Sequence, residues 1–133
     1  MKHHSIIILL VLLFVAGCNK QVGMTGTVVF SDDGSPLPFG NVVLSTPTFQ
    51  SRGELNKEGQ FTMGSLGTND GLPPGTYRVA IVAGEMLGDS GSYSLVDPKY
   101  SNPDTSGLEI TVTKAVKDYE IKVERNPKPR PGK

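Results

Sequence analysis

Apolar and polar side chains alternate in short runs along most of this chain, and clusters of Gly, Pro, Asn, Asp and Ser cut each run. Met24 to Phe30 sets Met24, Val28 and Phe30 on one face and threonines on the other, the period of two that marks a strand. Ser31-Asp32-Asp33-Gly34-Ser35 is turn chemistry, and Pro36 and Pro38 keep the next stretch out of a helix. Asn41 to Ser45 predicts a second strand with Val42 and Leu44 inward. Phe49 to Leu55 predicts a weaker third, ended by Asn56-Lys57-Glu58-Gly59. Gln60 to Met63 returns as a fourth, burying Phe61 and Met63. Gly64 to Pro74 reads as a loop carrying Asn69-Asp70-Gly71. Gly75 to Ala83 then has the strongest pattern, with Tyr77, Val79 and Ile81 on one face. Ala80 and Val82 predict partial cover on its other face, as expected of a central strand. Leu108 to Val112 and Asp118 to Val123 alternate cleanly, and Thr113 to Lys117 is expected to join them as a hairpin. Seven short strands with no helical period predict an all-β fold, a seven-stranded antiparallel β-sandwich.

Two stretches fall outside this rhythm. Gly84 to Gly107 lacks periodicity and reads as one long loop, a kind of segment that is usually functional or mobile. Arg125 to Lys133 carries four positive charges and prolines at 127, 129 and 131, so it reads as an extended, solvated tail.

The N-terminus has a different pattern again. Lys2 precedes an unbroken apolar run from Ile6 to Val15, too short to span a bilayer as a helix, which takes about 20 residues. It matches the apolar centre of a secretory signal peptide. The run closes on Val15-Ala16-Gly17-Cys18, which resembles the lipobox of bacterial lipoproteins, where the cysteine is joined to diacylglycerol and becomes the mature N-terminus. The expected organisation is a lipoprotein signal peptide over 1–17, a lipidated Cys18 with a short tether over 18–23, a β-sandwich over 24–124 and the basic tail over 125–133. Asn19 to Gly23 reaches at most about 17 Å, which holds the domain near the membrane. The implied partner is a lipid bilayer, and the implied location is the cell envelope, at the outer membrane or a periplasm-facing leaflet.

Composition narrows the chemistry. The chain has 13 basic and 13 acidic side chains, so no basic face is offered to nucleic acid. Its one cysteine, Cys18, would be acylated, leaving no disulfide. Both histidines, His3 and His4, lie in the leader. A mature chain without imidazole or free thiol has no Ser-His-Asp or Cys-His catalysis and no ordinary zinc site.

Gly26-Thr27-Val28, Gly34 to Val42 (GSPLPFGNV), Glu58-Gly59-Gln60-Phe61 and Leu72 to Val79 (LPPGTYRV) stand in a familiar order. Together they resemble the carboxypeptidase regulatory-like domain, a transthyretin-like or immunoglobulin-like seven-stranded sandwich. Pro98-Lys99-Tyr100 and Pro103 to Leu108 resemble a version found in small bacterial lipoproteins. The resemblance runs from about Met24 to Val123. It implies a non-catalytic accessory module with a structural or protein-interaction role and no cofactor.

Other chemistries are weaker. Gly88-Asp89-Ser90-Gly91 echoes a serine-protease nucleophile motif, but no histidine base accompanies it. Asp32-Asp33, Asn69-Asp70, and Asp97 with Asp104 offer oxygen ligands for calcium, without the spacing of an EF-hand loop; Asx turns explain them better. No metal site is expected. A sugar-binding sandwich would need exposed rings, and with Tyr77 and Tyr119 read as core, Tyr93 and Tyr100 are the stacking candidates.

Overall fold

The computed structural model describes residues 21–64 and 71–131. The leader, Cys18 and the Asn69-Asp70 turn lie outside the described residues. Nine strands follow in order: β1 (Met24–Phe30), β2 (Asn41–Ser45), β3 (Gln50–Glu54), β4 (Gln60–Thr62), β5 (Gly75–Val82), β6 (Gly84–Met86), β7 (Ser92–Ser94), β8 (Glu109–Val112) and β9 (Val116–Val123). Seven of them form an all-β sandwich of two sheets, ordered β4-β1-β9 and β3-β2-β5-β8, while β6 and β7 make a separate hairpin.

Alternation positions the core. In β1 every second residue is buried, and Met24, Val28 and Phe30 meet Ile121 and Val123 of β9 and Phe61 of β4. Val42 and Leu44 of β2, Tyr77, Val79 and Ile81 of β5, and Ile110 and Val112 of β8 close onto them from the other sheet. Full burial of a side chain such as Leu44 stabilises by about 2 kcal/mol. Tyr77, buried among these, donates its hydroxyl to the Pro73 carbonyl and meets Phe49 edge-on at 6.2 Å. The outer face of β5 is divided. Ala80 faces Val43 across the ladder and both are buried, while Val82 is 43% exposed.

Several expectations change. Thr113 to Lys117 does not close a hairpin: β8 pairs with β5, and β9 pairs with β1. The short link therefore carries the chain from one sheet to the other. Every strand pairing is antiparallel except β1 with β9, which run the same way. A parallel pair needs a long crossover, and here nearly the whole domain supplies it.

The segment 84–107 is also more ordered than its lack of periodicity suggests. It forms the β6–β7 hairpin and two 3-10 turns, Gly88–Ser90 and Pro98–Ser101, and it buries Val96 and Tyr100. The tail is likewise docked at its start. Asp97 donates its N–H to Glu124, Asn126 donates to Leu95 at 3.1 Å, and Arg130 pairs with Glu85 at 2.8 Å. The backbone after β9 finds partners in segment 94–97, and that pairing outweighs the solvation expected of a proline-rich end.

Candidate functional site

The two sheets stand apart along one side, where β8 and β9 are their outermost strands. Tyr100 fills the upper part of this opening. Its hydroxyl accepts the Glu124 N–H at 3.1 Å, and Lys99 lies 5.1 Å from its ring centre. Lys99 also pairs with Glu124 at 2.7 Å, and that bond raises its pKa above the ordinary lysine value. Below Tyr100 no described residue fills the opening, leaving a groove of about 320 Å³.

Val79, Ile110 and Ile121 form the groove floor, Leu108 and Tyr119 its walls, and Glu109, Glu120 and Lys122 its charged rim. Tyr119 falls in the inward phase of β9, with Ile121 and Val123, but no strand of the facing sheet reaches it, so it is 37% exposed. It is therefore a groove residue rather than a core residue. The volume lies at the low end for small-molecule sites, and the lining is apolar with charges only at the rim. Such a groove can hold an apolar side chain or short apolar group; it contains no nucleophile paired with a base.

Gly26 sets how closely β1 approaches β9 beside this opening. A side chain there would collide with the Tyr119 carbonyl and approach the Phe61 ring to 2.6 Å. Only a glycine lets β1 lie so close to β9 at this level. At Asp118 the backbone turns through φ 57, and the pairing of β9 with β1 shifts register between Met24 and Gly26. This bulge ends the regular part of β9.

The structure separates the two tyrosines considered for sugar stacking. Tyr100 is 5% exposed, so neither ring face is open. Tyr93 is half-buried on β7 and donates its hydroxyl to the Lys128 carbonyl at 2.7 Å. The described carboxylates considered for calcium, Asp32, Asp33, Asp97 and Asp104, are also engaged. Asp32 and Asp33 hold Arg125 at 2.8 and 3.1 Å, Arg78 pairs with Asp104 at 2.5 Å, and Asp97 accepts the Lys99 N–H. Among the described residues no group of three or more His, Cys, Asp or Glu is placed to hold a metal ion. Ser90 sits exposed in the turn at the tip of the β6–β7 hairpin.

Arg125 is the strongest electrostatic feature. Its guanidinium lies 3.8 Å from the centre of the Phe30 ring and donates to Asp32, Asp33 and the Ser35 hydroxyl. The Ser35 hydroxyl and N–H hold Asp33 down at about 2, with Asp32 and Arg125 adding smaller effects. The Gly34 turn noted in the sequence thus builds a clamp on the chain as it leaves β9. Sequence reading missed this clamp because Arg125 lies 90 or more positions from its partners.

No family model matches the chain, and no curated protein matches it. Among solved structures, a 9R-lipoxygenase from Cyanothece is similar over 85% of this chain and 18% of that enzyme, at 13% identity and a TM-score of 0.45. The chain spans less than a fifth of that enzyme, and a likeness at this level carries no argument about activity.

Proposed function

We propose that this chain is an exported cell-envelope lipoprotein, held to a bilayer through acylated Cys18, whose carboxypeptidase regulatory-like sandwich works without catalysis as a structural or protein-interaction module. The observation that carries this reading is the apolar run ending at Val15-Ala16-Gly17-Cys18, placed only a few residues before the first strand contact, Val22 with Leu72. Two acyl chains on one cysteine hold firmly, because each buried methylene adds about 0.8 kcal/mol. The absence of histidine after residue 4 supports a non-catalytic role. The unfilled groove beside β9 supports a binding one. Sugar binding through Tyr93 and Tyr100 has less support, because the two rings form no open platform.

The test compares the wild-type chain with Cys18→Ser in bacterial cells grown with an alkyne-labelled palmitate. Wild type should take up the label, partition with membranes and show an intact mass that begins at an acylated Cys18. Cys18→Ser should lose the label and leave the membrane fraction. A native chain with residue 18 unmodified and the leader retained would refute the anchor. In-cell crosslinking that captures one defined envelope protein supports the interaction role.

A further inference from the structure

We infer that two copies of this chain join through the outer edge of β9, antiparallel and centred on Ile121, to make one continuous six-stranded sheet. The inference rests on backbone geometry and does not depend on the lipid anchor. β9 pairs on one side with β1, and among the described residues no strand pairs with its other side over Tyr119–Val123. This free length is bounded at both ends. The Asp118 bulge stops it below, and the 95–97 segment occupies the edge above, where Asp97 donates to Glu124 and Val96 bridges Arg125. The midpoint of what remains is Ile121.

The direction of the unpaired groups follows from neighbours. Val123 gives its carbonyl to Ser31 on the β1 side, whereas Glu124 gives its carbonyl to Asp97 and its N–H to Tyr100 on the outer side. Because successive residues of a strand point their backbone groups to opposite edges, Glu120 and Lys122 present N–H and C=O outward. In an antiparallel pair centred on Ile121, Glu120 of one copy stands opposite Lys122 of the other, and the reverse. That register makes four backbone hydrogen bonds and places a carboxylate opposite an ammonium at both sites. A two-fold axis requires this self-complementarity. A pairing centred on residue 120 would instead oppose two Glu120 side chains and run into the Asp118 bulge.

The side chains are free to make these contacts. Glu120 and Lys122 are 56% and 68% exposed, and within one chain they touch only at 3.7 Å. On the inner face, Val123 is already buried in its own core, so the exposed Tyr119 rings would border the two grooves, which the pairing brings side by side. The edge is short, so association should be reversible and concentration-dependent.

The test uses the full-length chain in detergent micelles, followed by light scattering across a concentration series. Mixed ¹⁵N- and ¹⁴N-labelled copies are treated with a carbodiimide, which joins a carboxylate directly to an amine. The expected result is a doubling of protein mass and a Glu120–Lys122 isopeptide that links heavy with light copies. Glu120→Lys should weaken association by about tenfold or more, since it sets Lys against Lys twice, and Glu120→Lys with Lys122→Glu should restore it. Lys122→Pro removes an outward N–H that no described residue uses, so it should keep the circular dichroism of wild type while losing the dimer. A chain that stays monomeric throughout, or a dimer unaffected by Glu120→Lys and Lys122→Pro, would overturn the inference.

Discussion

Replacing Gly26 with alanine should destabilise the fold, although the change adds a single methyl group. Gly26 lies in β1, the middle strand of its sheet, paired with Phe61 of β4 on one side and Tyr119 of β9 on the other. The new Cβ would overlap the Tyr119 carbonyl and stand 2.6 Å from the Phe61 ring. A ring can tilt, but a carbonyl held in a strand moves only with its backbone, so the β1–β9 ladder must shift. Overpacking of this kind costs about 1–3 kcal/mol. Against it stands a gain of about 0.4–1 kcal/mol from restricting the unfolded chain. The steric term wins, leaving a net loss of about 1–2 kcal/mol and a fall in Tm of roughly 5–15 °C for a domain this size. Thermal unfolding followed by far-UV circular dichroism measures it. Gly84→Ala is the matched control, because a Cβ there meets nothing within 4 Å. Equal Tm values for the two variants would refute the close approach of β1 and β9.

Three further outcomes follow from named contacts. Asp33 is held at about 2 in the fold against an ordinary 3.8, so its contribution is present above about pH 4 and is lost as pH falls through 2. Because the Ser35 hydroxyl is the largest cause, Ser35→Ala should raise the Asp33 midpoint in an NMR titration more than Arg125→Ala does; the reverse order would contradict the clamp as described. Tyr100→Phe should cost about 1 kcal/mol in urea unfolding, by removing the acceptor for the Glu124 N–H; no change would show that water replaces it. Tyr93→Ala should loosen the tail beyond Asn126, seen as faster amide hydrogen exchange at Lys128, because it removes the hydroxyl bound to the Lys128 carbonyl and leaves the Arg130–Glu85 pair as the next anchor; an unchanged exchange rate would count against a docked tail.

What the sequence made legible was local, and what it hid depended on distance. The seven strands of the sandwich could be read from alternation, because a half-buried strand writes its inner face into every second residue, as Met24, Val28 and Phe30 do. Pairing partners leave no such mark. β8 and β9 sit three residues apart in the chain and looked like a hairpin, yet each completes a different sheet. Tyr119 shows the same limit within one strand. It has the correct phase for the core and a ring suited to it, but burial also needs a facing residue, and the four-residue β8 leaves it without one.

Tyr100 is the converse case, a ring in an unpatterned loop that becomes buried because the sandwich has a gap of its size between the ends of β5 and β9. The groove below it follows from the same shortage of cover. One segment, 95–101, is long enough to close half of the open side, and no described segment closes the rest. The unpaired edge of β9 and the half-exposed Tyr119 therefore have a common cause: a sandwich with only three strands in one sheet leaves its last strand bare on one side. If that side has a natural occupant, it must supply both backbone hydrogen bonds to Glu120 and Lys122 and an apolar surface to Tyr119. A second copy supplies the ladder through its own β9 and brings its own Tyr119 and groove alongside, whereas a sugar supplies no backbone ladder and a lone acyl chain supplies neither donor nor acceptor.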